Sequence, residues 1–348
     1  MLTDRIEAKW IESFAAVFRL CGLASGEPVS IVSETQSRAL NVHLAELALS
    51  SLSARPFHIV VPTPRQAAPV PVRSTGASQA LQRIEPLVKA LSGPGLLVDL
   101  TLEGLLHAPE LPEILASGAR LMMISNEHPD VLERLAPDPA LMTKVKLGSG
   151  LLKKARKMRV TSKAGTDLSI SLERARTGGI WGWTDRPGTV AHWPGGLCLA
   201  FPRAGAVQGS LVLSPGDANL TFKRYVEARL RLTIEKDYVT DIEGKSLDAE
   251  LLRDHLEAWG ERDAYAVSHV GFGLNPKARW DAMVMYDKGD INGTELRVFA
   301  GNFLFSTGAN EVAGRFGQGH FDLPLRNCTV TLDGTPVVTD GRLAGELA

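Results

Sequence analysis

The segment Gly95-Leu-Leu-Val-Asp-Leu100 is short, mostly apolar and preceded by the turn-forming pair Gly93-Pro94. A similar segment, residues 119–125, follows a helical pattern over residues 109–117. Short apolar segments that alternate with helical ones are typical of parallel strands covered on both faces by helices. The sequence therefore predicts a strand–helix–strand unit in this part of the chain.

The same alternation extends toward the N-terminus. Residues 29–33 and 57–61 are predicted strands, and residues 3–21, 38–52 and 77–91 have the apolar spacing of helices. We therefore predict an α/β domain over residues 1–155, built on a small doubly wound parallel sheet. Ligands of such domains bind at the carboxyl ends of the strands, so we expect this domain to contribute to a substrate pocket.

Beyond residue 155 the pattern changes to short strands separated by glycine-rich turns. The predicted strands are residues 160–172, 196–201, 210–213, 230–235, 281–286, 295–303 and 328–332. Residues 246–259 have the pattern of a helix, and residues 287–293 are interpreted as a hairpin turn. This pattern predicts an α+β domain over residues 156–348, dominated by antiparallel sheet.

Composition excludes several classes of function. The 348 residues carry 38 basic and 39 acidic side chains, a net charge of -1, which gives no field to attract nucleic acid or an anionic membrane. The three cysteines are far apart and follow no disulfide or zinc spacing. There is no apolar run of membrane-spanning length and no signal-peptide pattern. We expect a cytoplasmic protein with a small-molecule partner, assembled as a homo-oligomer of undefined subunit number.

The informative motif is Gly319-His-Phe-Asp322. In extended chain the side chains at positions i and i+2 project to the same side, so His320 and Asp322 can bind one ion. His269 precedes two glycines and offers a third ligand. Two histidines and one carboxylate are the ligand set of mononuclear iron(II) oxygen enzymes. The spacing alone does not decide between a metal ligand and a loop histidine held by hydrogen bonds. The two explanations are equally good for His320, and the loop histidine is the somewhat better explanation for His269.

Four successive motifs of the second half resemble landmarks of the aminopeptidase T-like superfamily. They are Val160-Thr-Ser-Lys-Ala-Gly-Thr-Asp-Leu168, Trp193-Pro-Gly-Gly196, Gly271-Phe-Gly-Leu-Asn-Pro276 and Gly319-His-Phe-Asp322. Within that superfamily the sequence is most similar to the 2,5-dihydroxypyridine 5,6-dioxygenases, iron(II) enzymes of nicotinate, nicotine and picolinate breakdown. The resemblance implies Fe(II) as cofactor and an extradiol-like ring opening of a small N-heteroaromatic substrate by O2, which yields N-formylmaleamate.

A metal-dependent aminopeptidase of the aminopeptidase T type is the alternative function. The resemblance implies that those peptidases hold two metals, with glutamates where this chain has Leu197 and His269, and with a further histidine before the His-x-Asp pair. No histidine occurs here between His269 and His320. Two cations need more ligands than remain, so the set predicts one metal.

The first half also carries a resemblance. Leu105-Leu-His107 resembles the leucine-histidine pair that contacts substrate in the dihydroxypyridine enzymes, which implies substrate contacts for Leu106 and His107. His192 and Ser306 are further substrate-binding candidates, although an ordinary turn serine explains Ser306 equally well. The remaining histidines, His43, His58, His128 and His255, are interpreted as structural.

The substrate's chemistry assigns a role to one imidazole. The two hydroxyls of 2,5-dihydroxypyridine are para-related and cannot chelate one iron together. The second hydroxyl therefore needs a protein partner that takes or shares its proton. We assign this acid–base role to His107, with His192 as the rival.

Overall fold

The computed structural model describes residues 4–71 and 79–348, so Thr3, Ala77 and Ser78 of two predicted helices lie outside the described residues. The α-helices within these ranges are α1 (Ala8–Leu20), α2 (Ala39–Ser51), α3 (Glu85–Leu91), α4 (Leu111–Ala116), α5 (Pro129–Arg134), α6 (Pro139–Lys154), α7 (Leu247–Ala258), α8 (Ala282–Met285) and α9 (Thr294–Val298). None of the described helices has the length and apolar character needed to cross a membrane.

The strands alternate with helices at first and then follow one another directly. They are β1 (Pro28–Glu34), β2 (Arg55–Val61), β3 (Gly95–Leu100), β4 (Ala119–Ile124), β5 (Lys157–Ser162), β6 (Asp167–Ser171), β7 (Arg176–Ile180), β8 (Thr189–Trp193), β9 (Leu197–Phe201), β10 (Val207–Leu213), β11 (Ala218–Asn219), β12 (Arg224–Tyr225), β13 (Leu230–Glu235), β14 (Tyr238–Glu243), β15 (Val267–Gly273), β16 (Phe303–Asn310), β17 (Arg315–Leu325), β18 (Cys328–Leu332), β19 (Thr335–Thr339) and β20 (Arg342–Leu343).

The first sheet is parallel, with the strand order β2-β1-β3-β4-β8. Its two faces belong to different apolar clusters because successive side chains of a strand point to opposite faces. Val29 and Ile31 pack with α1 and α2, whereas Val32 packs with α3 and α4. The predicted doubly wound parallel sheet is confirmed.

Two antiparallel sheets form most of the remainder. The larger has the order β14-β13-β10-β6-β5-β18-β19-β20, and the smaller has the order β17-β16-β15-β9-β7. One apolar cluster joins them, with Phe272, Phe303 and Phe305 from the smaller sheet and Val160 and Leu168 from the larger. The predicted α+β character, dominated by antiparallel sheet, is confirmed.

The domain boundary near residue 155 stays a prediction. The fifth strand of the parallel sheet, β8, comes from residues beyond this boundary. Residues 190–193 pair in register with residues 121–124 of β4. Chain from both sides of residue 155 therefore builds the parallel sheet.

Two predicted strands in the second half are wrong. Residues 281–286 contain helix α8, and residues 295–303 contain α9 before β16 begins. The run Asn292-Gly-Thr-Glu295 explains α9, because a turn residue followed by an acidic residue in the first turn is a helix start. Residues 287–293 consequently join two helices instead of forming the predicted hairpin.

The predicted strand over residues 160–172 is two strands, β5 and β6, paired antiparallel. The turn between them contains Gly165, whose φ of +112° is a conformation that other residues rarely adopt. The alternating apolar pattern runs through both strands, which is why the sequence did not reveal the turn.

His255 of α7 lies in an aromatic environment away from the candidate site. Its Nε2 accepts a hydrogen bond of 3.2 Å from Trp259 Nε1, and its ring contacts Phe222 and Phe321 with centroid separations of 5.5 and 5.2 Å. Burial lowers the pKa of His255 to about 4. The side chain is therefore neutral at neutral pH, in agreement with the structural role predicted for it.

We predict that His255→Gln makes the stability of the protein less sensitive to acid. The unfolded histidine takes up its proton near pH 6.5, whereas the folded one resists protonation down to about pH 4, so stability is lost as the pH falls through this window. Glutamine keeps an acceptor for Trp259 and does not titrate. Thermal unfolding at pH 7 and pH 5 should show a smaller drop in Tm for the variant than for the wild type; equal drops would contradict the prediction.

Candidate metal and substrate site

Three neighbouring strands of the smaller antiparallel sheet carry four of the predicted site residues. His269 lies on β15, Ser306 on β16, and His320 and Asp322 on β17. Ser306 pairs directly with Asp322 in the sheet register. Alternation along β17 puts His320 and Asp322 on one face, with 3.3 Å between His320 Nε2 and Asp322 Oδ1. His269 Nε2 lies 3.9 Å from the same oxygen.

His107 reaches this cluster from the other half of the chain. It follows β3, at the carboxyl end of a central strand of the parallel sheet. Its ring is parallel to that of His269, with centroids 6.1 Å apart, and lies 4.6 Å from the ring of His320. Ligand nitrogens of His107, His269 and His320 all lie within 4.8 Å of one another. His107 thus lies close enough to His269 and His320 to share a metal ion with them.

Two buried carboxylates hold the loop that carries His107. Asp99 accepts hydrogen bonds from the backbone N–H groups of Thr101, at 3.0 Å, and Leu105, at 2.6 Å. Glu34 accepts one from the N–H of Leu102 at 2.6 Å. Burial raises the pKa of Asp99 to about 6 and also raises the pKa of Glu34. Because the backbone of residues 101–105 is fixed by these bonds, the position of His107 is fixed as well.

Asp322 is surrounded by hydrogen-bond donors. Arg297 Nε donates to Oδ2 at 2.5 Å, and the hydroxyl of Ser306 donates to Oδ1. Burial by itself raises the pKa of the Asp322 carboxyl, but His320 and Arg297 outweigh burial and hold this pKa well below its usual range. Asp322 is therefore an anion at neutral pH. Ser306 is fully buried and directs its hydroxyl to Asp322. Its role as a substrate contact stays a prediction.

The imidazoles of His107 and His269 are held in their neutral forms. Burial, followed by the repulsion that protonated His320 and His269 would exert on a second cation, holds the pKa of His107 well below 6.5. Burial and the neighbouring His320 lower the pKa of His269 to about 3. The neutral form is the one that ligates metals and accepts protons.

His192 lies on β8, one residue before the strand ends. Its Nδ1 donates to the carbonyl of Pro194 at 2.6 Å, which leaves Nε2 as the acceptor nitrogen. Burial lowers the pKa of His192 to about 4. His192 is thus a neutral base, as the rival assignment requires.

These side chains line one cavity of about 410 Å³ between the parallel sheet and the smaller antiparallel sheet. Its polar lining includes His107, His192, His269, His320, Asp322 and Arg297. Its apolar lining, which is larger, includes Leu106, Leu111, Leu115, Met123 and Val190. A mostly apolar cavity with a few convergent polar groups is suited to a small organic ligand.

The donor set fits a divalent metal. Two donors bound to one ion at about 2.0–2.2 Å lie no more than about 4.4 Å apart, and the distances from Asp322 Oδ1 to the two Nε2 atoms satisfy this limit. In the described part of the chain, the buried Nδ1 atoms of His269 and His320 have no hydrogen-bond partner. Buried polar atoms rarely stay unpaired, so the protein side chains alone do not satisfy these two rings.

Sequence reasoning missed Arg297, which contacts Asp322 directly. The sequence predicts a strand over residues 295–303, and an arginine in such a strand is expected to face solvent. The helix start at residues 292–295 is the signal that identifies α9 and turns Arg297 toward the site.

The overall fold identifies the structural class of the protein, and closer matches then identify its family. The structure resembles wild-type AmpT from Thermus thermophilus with a TM-score of 0.65, over 97% of this chain and 99% of that chain, at 13% sequence identity. That likeness concerns the fold alone, which is the aminopeptidase T-like fold.

The family follows from closer matches. The sequence profile of the 2,5-dihydroxypyridine 5,6-dioxygenases matches residues 9–345. A 2,5-dihydroxypyridine 5,6-dioxygenase of Pseudomonas putida KT2440 is 36% identical over 338 residues, which are 96% of this chain and 95% of that protein. The structure of the 2,5-dihydroxypyridine dioxygenase from the same organism matches with a TM-score of 0.92 and 34% identity, over 100% of this chain and 99% of that chain. The chain belongs to the 2,5-dihydroxypyridine 5,6-dioxygenase family, and the resemblance inferred from the sequence is confirmed.

Proposed function

We propose that this protein is an iron(II)-dependent 2,5-dihydroxypyridine 5,6-dioxygenase, an extradiol-like ring-cleaving enzyme. The reaction breaks the C5–C6 bond and adds both atoms of O2. One oxygen enters the carboxyl group formed at C5 and the other the formyl group formed at C6, so the product is N-formylmaleamate. Family membership supports the substrate, and the observation that carries the proposal is the cluster of His269, His320 and Asp322 in the cavity.

His269, His320 and Asp322 are the residues that would hold the iron. Two imidazoles and one carboxylate leave coordination positions for other ligands, which is typical of mononuclear iron(II) oxygenases. When bound, iron(II) supplies the redox chemistry that couples an aromatic ring with O2. Arg297 and Ser306 fix the orientation of the Asp322 carboxylate through their hydrogen bonds.

The remaining cavity residues bind the ring and handle its protons. The apolar wall that includes Leu106 and Leu111 accommodates an aromatic ring and excludes water from it. His107 would accept the proton of the second ring hydroxyl, because its imidazole is neutral and lines the cavity. His192, which lines the same cavity, is the rival base. The position of His107 also permits a second assignment, as a fourth ligand.

The inventory of potential ligands favours this function over an aminopeptidase. Within residues 4–71 and 79–348, one group of three potential ligands has mutually close donor atoms, His107, His269 and His320, and Asp322 lies against two of its members. A two-metal peptidase needs a second such set. The cytoplasmic location and the homo-oligomeric state expected from the sequence stay predictions.

We predict one iron per chain. Elemental analysis after anaerobic loading with iron(II) should approach one equivalent, because the chain offers one donor cluster within its described parts. The loaded protein should consume one O2 for each 2,5-dihydroxypyridine. Two tightly bound zinc or cobalt ions, together with release of amino acids from peptides, would support the aminopeptidase instead.

We predict that His269→Ala, His320→Ala and Asp322→Ala each lose iron and activity while keeping their fold. Each substitution removes one of three proposed ligands. Iron content after anaerobic loading and far-UV circular dichroism are the measurements. A variant that keeps a full equivalent of iron would show that the mutated residue is not a ligand.

We predict that His107→Ala keeps its iron and loses turnover by roughly 10²–10⁴-fold, the usual effect of removing an acid–base group. The low pKa of His107 means that the wild-type rate should stay high below pH 6.5 and fall only at more acidic pH. This acid limb should move or vanish in the variant. Loss of iron from His107→Ala would instead identify His107 as a ligand, and an unchanged pH profile would transfer the base role to His192.

A further inference from the structure

Glu127 connects the parallel-sheet half of the chain to the segment that begins α9. The side chain is fully buried. Its Oε2 accepts a hydrogen bond from the N–H of Asn292 at 2.6 Å, and its Oε1 accepts bonds from the N–H groups of Gly293, at 2.9 Å, and Thr294, at 2.8 Å. One carboxylate therefore fixes three consecutive backbone amides that are about 165 residues away in sequence.

The turn at residues 292–294 has a backbone conformation that residues other than glycine rarely adopt. Gly293 has a φ of +98°, and a Cβ at this position would lie 3.1 Å from the side chain of Leu220. Thr294 adds a side-chain contact, with 2.5 Å between its Oγ1 and Ser125 Oγ. Ser125 and Glu127 follow β4, so the turn is attached to the end of a central parallel strand.

From this turn α9 leads directly to the candidate metal site. Arg297 lies three residues after Thr294, and its Nε donates to Asp322 Oδ2 at 2.5 Å. Its Nη1 also donates to Asn292 Oδ1 at 3.2 Å, inside the turn that Glu127 holds. The backbone fixed by Glu127 and the guanidinium that orients Asp322 thus form one connected unit.

We propose that Glu127 is a positioning residue for the metal site: it holds the 292–294 turn so that Arg297 orients the Asp322 carboxylate toward His269 and His320. Glu127 touches neither the cavity's ligand atoms nor the substrate and acts through Arg297. The inference rests on the proposed function insofar as Asp322 is a metal ligand.

Glu127→Gln is the informative substitution. A glutamine has nearly the same shape, but its amide nitrogen is a donor and cannot accept the N–H bonds that one carboxylate oxygen now accepts. The turn should therefore lose part of its attachment. Substitution of groups that orient metal ligands typically weakens metal binding 10–100-fold, and we expect about tenfold for this indirect contact.

Asp248→Asn is the matched control. Asp248 is also a buried carboxylate that accepts two backbone N–H bonds, from Glu227 at 2.8 Å and Ala228 at 3.2 Å. These amides lie between β12 and β13, and its ion-pair partner Arg224, at 3.1 Å, lies on β12. The control thus reproduces the general cost of altering a buried carboxylate that holds backbone outside α9 and β17.

The experiment measures Mn²⁺ affinity by electron paramagnetic resonance for the wild type, Glu127→Gln, Arg297→Lys, the double variant and Asp248→Asn. We expect weaker binding in both single variants of the unit, a double variant no weaker than Arg297→Lys alone, and wild-type affinity in Asp248→Asn. Wild-type affinity in Glu127→Gln, additive losses in the double variant, or an equal loss in Asp248→Asn would overturn the proposal. If Glu127→Gln does not fold, Ser125→Ala replaces it with the same expectations, because it removes the contact to Thr294.

Hydrogen exchange of the metal-free proteins separates this inference from the proposed function. Amides 292–298 should exchange faster in Glu127→Gln than in the wild type, and at the wild-type rate in Asp248→Asn. Absence of Mn²⁺ and Fe²⁺ binding in the wild type would contradict the proposed function and, with it, the metal-site role of Glu127. Unchanged protection of amides 292–298 would contradict the attachment itself.

Discussion

The ion pair between Arg297 and Asp322 is the interaction on which the site depends. A buried carboxylate is costly unless charged or hydrogen-bonded partners compensate for lost water. Here the compensation comes from Arg297, Ser306 and the imidazole of His320, and the result is an anion with a strongly lowered pKa inside a mostly apolar cavity. Because the three partners come from α9, β16 and β17, the pair requires these elements to pack in one particular arrangement.

Both halves of the chain contribute residues to the cavity around this ion pair. The parallel sheet supplies His107 and His192 from the ends of β3 and β8, and the smaller antiparallel sheet supplies His269, His320 and Asp322. The bidentate pair of Arg134 with the buried Glu295, at 2.7 and 2.6 Å, adds a second link between α5 and α9. The cavity lies where these contacts meet, so its shape depends on the junction and not on either half alone.

Local patterns were sufficient for part of this structure. Strand alternation identified the parallel sheet, and the spacing of His320 and Asp322 correctly put both side chains on one face. The short helices α8 and α9 were missed because four or five residues give no helical periodicity. The helix start at residues 292–295 indicates α9, but the contacts of Arg297 and Glu127 could not be predicted because they cross 25 and about 165 residues of chain. The nearness of His107 to His320 is likewise a property of tertiary packing.

The charge balance of the site has a consequence for the proposed substrate. His107 and His269 are neutral, and the charges of Arg297 and Asp322 cancel. On binding a metal, His320 would be neutral as well. Counting these groups alone, a divalent cation would leave an excess of two positive charges, and the apolar lining of the cavity solvates charge poorly. An anionic oxygen on the ligand reduces this excess, whereas a neutral hydroxyl does not. The site therefore favours a hydroxypyridine that has given up a proton, and a neutral imidazole in the cavity wall is the group that can accept it.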